Sequence, residues 1–179
     1  MSSFRDGTDG VDGRPPWLLL TPDRAVRRPR GEIRRVGCGI DGGEASAFAL
    51  QMAARVAGSL DAELEVIRAI ATPASVIDPA LSEELAAAAL LQLRHALASL
   101  PENVAAQGLV VQDNDPVRGL ASRSDACELL VLGTRSGSPR GVAVLGTVST
   151  RLAEEARCPV LVVPLSIEMP AAQLLNAWL

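Results

Sequence analysis

The chain has 179 residues, 48% of them apolar, 2% aromatic, and a formal net charge of −4. That length suits one domain with an aliphatic core. Scarce aromatics and an acidic balance argue against a nucleic-acid partner, and since all 17 basic residues are arginine, lysine chemistry is excluded.

Residues 1–32 read as a flexible, Arg-rich arm, because Gly, Pro, Asp and Arg dominate and no helical or strand period is visible. Arg24, Arg27, Arg28, Arg30, Arg34 and Arg35 form a basic cluster best read as solvated. The apolar run Trp17 to Leu20 is far too short to span a bilayer, and no signal peptide precedes it. The cytoplasm is the expected compartment.

From Ile33 the pattern changes. Residues 35–40 predict a first strand ending at Asp41-Gly42-Gly43, and residues 44–60 a helix with Phe48, Leu50, Met52 and Val56 on its apolar side. Residues 64–70 predict a second strand. A loop containing Pro73 and Pro79 leads to an Ala/Leu-rich helix over 81–100, closed by Pro101. Residues 109–112 predict the third strand. Asp115 is placed to cap a short helix with Pro116 at its first position, ending near Ser124. Residues 128–132 form the fourth predicted strand, a Gly-rich loop runs from Gly133 to Gly141, and a helix follows over 147–156. Residues 159–163 are the fifth strand, and 166–179 a tail able to form a short amphipathic helix. Cys38, Cys127 and Cys158 fall in or beside buried strands without zinc spacing, and read as small hydrophobes in a reducing compartment.

Strands alternate with helices, and the late strands are continuous apolar runs. That pattern predicts an α/β three-layer sandwich around a parallel sheet, with ligands beyond the carboxyl ends of the strands. Gly133-Thr134-Arg135-Ser136-Gly137 and Gly146-Thr147-Val148-Ser149 carry the strongest chemical signal. Small residues admit an anion close to the backbone, helix-start amides hold phosphate, and Arg135 and Arg140 add charge-assisted contacts. Neither a Walker loop nor a Gly-x-Gly-x-x-Gly turn is present. His95, the sole histidine, lies mid-helix between Arg94 and Ala96, where nothing makes it a base. Ser46 sits in a first helical turn and not in a nucleophile elbow.

The loop, with Gly133 first and Gly146-Thr147 last, resembles the nucleotide loop of universal stress proteins; Ser136 takes the place of its middle glycine. Val36 to Gly42 resembles that family's opening strand and aspartate. Asn114-Asp115-Pro116 and Arg157 to Pro164 resemble its later turn and its ending. The resemblance covers about residues 33–164. It implies an adenine nucleotide alpha-hydrolase-like sheet of five strands in the order 3-2-1-4-5. It implies ATP, with or without Mg²⁺, at the carboxyl edge. Ile40 and Asp41 would touch adenosine, Ala69 would face the base, and Gly133 would lie under the ribose. Ser136, Gly146, Thr147, Val148 and Ser149 would line the phosphates. A homodimer through the last strand is also implied, with the tail able to cover that edge.

The expected organisation is an arm at 1–32, a universal-stress-protein-like domain at 33–165, and a tail at 166–179. The expected function is adenine-nucleotide binding in stress response or signalling, with at most slow ATP hydrolysis. A second reading keeps the fold, closes the pocket with Ser136, and leaves a dimeric interaction module. A third, an adenylating hydrolase or flavoprotein subunit, is disfavoured because Asp41 and Glu44 would repel pyrophosphate after the first strand.

Overall fold

The computed structural model describes residues 18–20, 32–72, 79–135 and 145–165. Along these residues run β1 (Leu18–Leu20), β2 (Arg35–Gly39), α1 (Glu44–Leu60), β3 (Glu63–Ala71) and α2 (Pro79–Ala98). They are followed by β4 (Ala106–Asp113), α3 (Pro116–Arg123), β5 (Leu129–Thr134), α4 (Thr147–Glu155) and β6 (Val160–Pro164). The sheet order is β1-β6-β5-β2-β3-β4. All neighbours from β6 to β4 are parallel, which reproduces the predicted five-stranded order; β1 adds a sixth, antiparallel strand against β6.

Period-two alternation places side chains in two cores, one on each face of the sheet. On β5, Leu129 and Val131 pack with Leu50 and Met52 of α1 and Leu93 of α2. Leu130 and Leu132 point the other way, onto Val117 and Leu120 of α3 and Leu152 of α4. Leu64, Leu130 and Leu152 are fully buried. Each such leucine stabilises the fold by roughly 1.5–3 kcal/mol relative to exposure.

Helix ends follow local chemistry. The Asp115 carboxylate accepts from the Val117 amide (3.0 Å), with Pro116 at the first helical position, as the sequence predicts. α1 ends at Asp61, whose φ of 52° is left-handed, a conformation that aspartate tolerates. Among the described residues one charged side chain is buried. Glu65, 3% exposed, faces α3 and accepts two bonds from Arg123, each 2.9 Å.

Two expectations are corrected. Leu18–Leu20, assigned to an arm without regular structure, forms β1; residues 1–17 and 21–31 lie outside the described residues. β4 begins at Ala106, three residues before the predicted start, because its backbone pairs with β3 from Leu64↔Ala106 to Ala71↔Asp113. Ala106-Gln107-Gly108 carry no strand pattern of their own; the neighbouring strand imposes it. The outer edge of β6, where a homodimer is expected, pairs with β1 within the single chain. The tail at 166–179 lies outside the described residues.

Candidate functional site

β2 lies between β3 and β5, so the chain departs from it in opposite directions. At such a reversal the loops beyond the strand ends diverge and leave a crevice. Here the crevice measures about 430 Å³. Ile40 and Asp41 from the end of β2 and Arg68 and Ala69 from β3 line one part of it. Gly133 and Thr134 end β5, Arg135 follows it, and Gly146 to Ser149 open α4 on the other side. Val117 and Leu120 of α3 complete an apolar wall with Ile40 and Ala69.

Three helices begin at this crevice. α3 starts under the Asp115 carboxylate, which caps it. α1 and α4 start at Gly43 and Gly146, and among the described residues neither has a side-chain cap. Their first amides carry the positive end of each helix dipole. Among the described residues a Cβ at Gly146 would meet nothing within 4 Å. Gly133 differs: a Cβ there would run into the Ala45 carbonyl, so close docking of α1 on β5 demands its glycine.

The turn after β2 is built around Asp41. Its Oδ1 accepts from the Gly43 amide (2.8 Å), and its own amide donates to Ser46 Oγ (3.3 Å). Ser46 Oγ in turn donates to the Gly43 carbonyl (2.8 Å). Gly42 has a φ of +82°, which favours glycine in this turn. Arg135 Nη2 stands 3.7 Å from Asp41 Oδ2. Burial alone pushes the Asp41 carboxyl up, but the Gly43 amide, the Ser46 hydroxyl, Arg135 and Arg68 together hold it below the ordinary value. Two guanidinium groups and two helix starts thus surround one carboxylate, so the crevice is electropositive within a chain of net charge −4.

The Usp family model, described as the universal stress protein family, matches residues 32–164. The chain belongs to the universal stress protein family. A member of this family from Burkholderia pseudomallei superposes with a TM-score of 0.60 at 25% identity, covering 76% of this chain and 99% of that one. A universal stress protein in complex with cAMP superposes at 0.52 with 24% identity, covering 76% and 100%. An Arabidopsis thaliana family protein with AMP bound superposes at 0.54 with 16% identity, covering 79% and 99%. These last two identities are low enough that the likeness speaks for the fold alone. No curated protein matches the sequence.

Of the site positions singled out in the sequence, the structure gathers Ile40, Asp41, Ala69, Gly133, Arg135, Gly146, Thr147, Val148 and Ser149 around one crevice. Ser136 lies outside the described residues. Ser149 is buried, while Thr147 and Val148 are exposed on the opening turn of α4. His95 is exposed on α2 and is not part of the lining. Sequence reasoning missed Arg68. Its Nε donates to Gln92 Oε1 and its Nη1 to the Ala69 carbonyl, both at 2.7 Å, which pins the guanidinium at the crevice wall. A lone arginine near the end of the apolar run 64–70 was the available signal. Ser46, outside any nucleophile elbow, knits the Asp41 turn through its hydroxyl.

Proposed function

We propose that this universal stress protein binds an adenine nucleotide at the carboxyl edge of its sheet and acts as a stress-response or signalling regulator without strong catalysis. One observation carries the reading: two helix starts with no side-chain cap among the described residues, and two arginines, converge on one crevice. An elongated anion is the kind of ligand that meets all of these donors at once. The volume of about 430 Å³ falls in the range of small-molecule pockets, roughly 300–1,000 Å³. Its apolar wall of Ile40, Ala69, Val117 and Leu120 suits a flat base, and the α4 end suits phosphates. Adenine is proposed as that base by analogy with two proteins of the same fold that carry AMP and cAMP.

In this reading Ile40 and Asp41 hold the adenosine, Ala69 faces the base, and Gly133 lies under the ribose. Gly146, Thr147 and Val148 take the phosphates with Ser136 and Ser149, and Arg135 adds charge. ATP is the nucleotide proposed. Among the described residues no cluster of three or more His, Cys, Asp or Glu could hold a metal. Mg²⁺ would therefore depend on the phosphates and water for most of its ligands, with Asp41 as the carboxylate at hand. The cytoplasm is the proposed compartment, in keeping with three buried free cysteines. Among the described residues no helix is long and apolar enough to cross a membrane. A homodimer through the last strand requires β1 to leave β6 first.

The test is titration calorimetry and thermal melting with ATP, AMP and cAMP, with and without Mg²⁺. Ligand at 100 times Kd stabilises by about 2.7 kcal/mol. In a chain of this size that raises Tm by roughly 5–11 °C. No heat and no thermal shift at millimolar nucleotide refutes the proposal. Ser136→Gly probes the loop: affinity rises if that side chain crowds the phosphates and stays unchanged if the pocket is idle.

A further inference from the structure

β6 is the last parallel strand, and without β1 its outer edge would bear open amides and carbonyls. All five of its residues, Val160 to Pro164, are buried and uncharged. The Leu130 amide donates to the Pro159 carbonyl (3.0 Å), and the Leu165 amide to the Thr134 carbonyl (3.1 Å). Successive residues of a strand turn their backbone groups to opposite sides. Residues 159 and 165 face β5, so Val160 and Val162 face outward. An apolar edge of this kind is a template for another strand.

β1 occupies that template in register. Leu18 lies opposite Val162 and Leu20 opposite Val160, the two residues whose backbone faces outward. Leu19 packs against the core on the α1 side, and Leu20 against the core on the α3 and α4 side. The strand therefore closes both faces as well as the edge. Running antiparallel to β6, it leaves the sheet at the amino end, where β2 begins. Three strand spacings, about 14 Å, separate the two positions. Residues 21–34 fully extended would reach roughly 46 Å, so a connection within one chain meets no geometric obstacle. A strand tethered at such short range competes at an effective concentration of order 1 mM, which outweighs a second copy at about 10 μM by roughly 100-fold.

We propose that β1 is an intrachain edge cap. It occupies the position on β6 that a second copy of this chain would take, and it keeps the full chain from pairing with itself there. The partner that fits the bare surface is another β6, antiparallel across a two-fold axis, because such an interface uses one patch on both subunits.

The test compares the full chain with a full-length variant carrying Leu18→Pro and Leu20→Pro, which removes two strand amides. A chain starting at Thr21 provides a second variant. Masses come from sedimentation or light scattering at about 10–100 μM, the range in which a tether of order 1 mM would still prevail. The full chain should be monomeric, and both variants should double in mass. Amide exchange at Val160 and Val162 should be slow in the full chain, slow in the variant dimers, and fast when those dimers are diluted apart. A full chain that is already dimeric overturns the proposal, including one whose dimer the variants abolish, since β1 would then act between copies. Folded variants that stay monomeric also overturn it. So does unfolding of both variants, which would make β1 an indispensable core strand.

Discussion

Replacing Gly146 with aspartate should make this protein more stable and unable to hold its ligand. Gly146 caps α4 with φ −81° and ψ 174°, a backbone open to any residue, and a Cβ there meets none of the described residues within 4 Å. An aspartate can accept from the first amides of the helix and oppose its dipole, a gain of about 0.3–1 kcal/mol. That corresponds to a rise in Tm of roughly 1–4 °C without ligand. The same carboxylate would stand in the place proposed for phosphate. At about 5 Å and an effective dielectric of 20, each unit of phosphate charge is repelled by about 3 kcal/mol. Affinity for ATP should therefore fall more than about 100-fold. Thermal melting reads the first effect and calorimetry the second. Gly146→Ala is the control: it adds a Cβ without charge, so apo stability should barely change. If Gly146→Asp raises Tm and leaves ATP binding intact, the phosphates do not lie at the start of α4 and the assignment of this crevice fails.

Three further outcomes are expected. Arg123→Met leaves the buried Glu65 carboxylate without its two bonds and should cost about 3–5 kcal/mol by chemical denaturation. Leucine at both 65 and 123 should recover most of that loss. The Arg151 guanidinium (2.6 Å) is the main cause holding the Asp115 carboxyl below its ordinary value. A carboxyl so lowered adds stability above the unfolded pKa of about 3.9, and that stability is lost as pH falls through the folded value. Melting curves from pH 5 down to pH 2 should thus steepen less in Asp115→Asn than in the parent; equal slopes would remove Asp115 from the account. Burial pushes the thiols of Cys38, Cys127 and Cys158 up to about 12. A thiol reagent at pH 8 should modify none of the three in the native chain and all of them in denaturant.

Much of this architecture could be read from the residues because both faces of the sheet are covered. Strands such as Leu129 to Leu132 are then apolar throughout, and only a parallel α/β layer accounts for them beside an amphipathic α1. Asp115-Pro116 marked the start of α3 because both residues act locally. The failures lie where distant chain decides. Ala106 to Gly108 are strand only because β3 holds them, and Leu18–Leu20 only because β6 presents an edge. The crevice residues were legible as a motif around two glycines. Arg68 was not, because its place depends on Gln92, which arrives on a different helix.

The two glycines that frame the loop persist for unlike reasons. At Gly133 a neighbouring helix has already claimed the room, so any side chain would push α1 away and drag the Asp41 turn with it. A homologue that had abandoned nucleotides altogether would still need that glycine to fold. At Gly146 none of the described residues stands in the way of a larger side chain, and in the proposed reading it is an occupant that would object. Surveys of this family that score both positions alike will therefore credit ligand binding to chains that have merely kept their helices in place; the second position is the informative one.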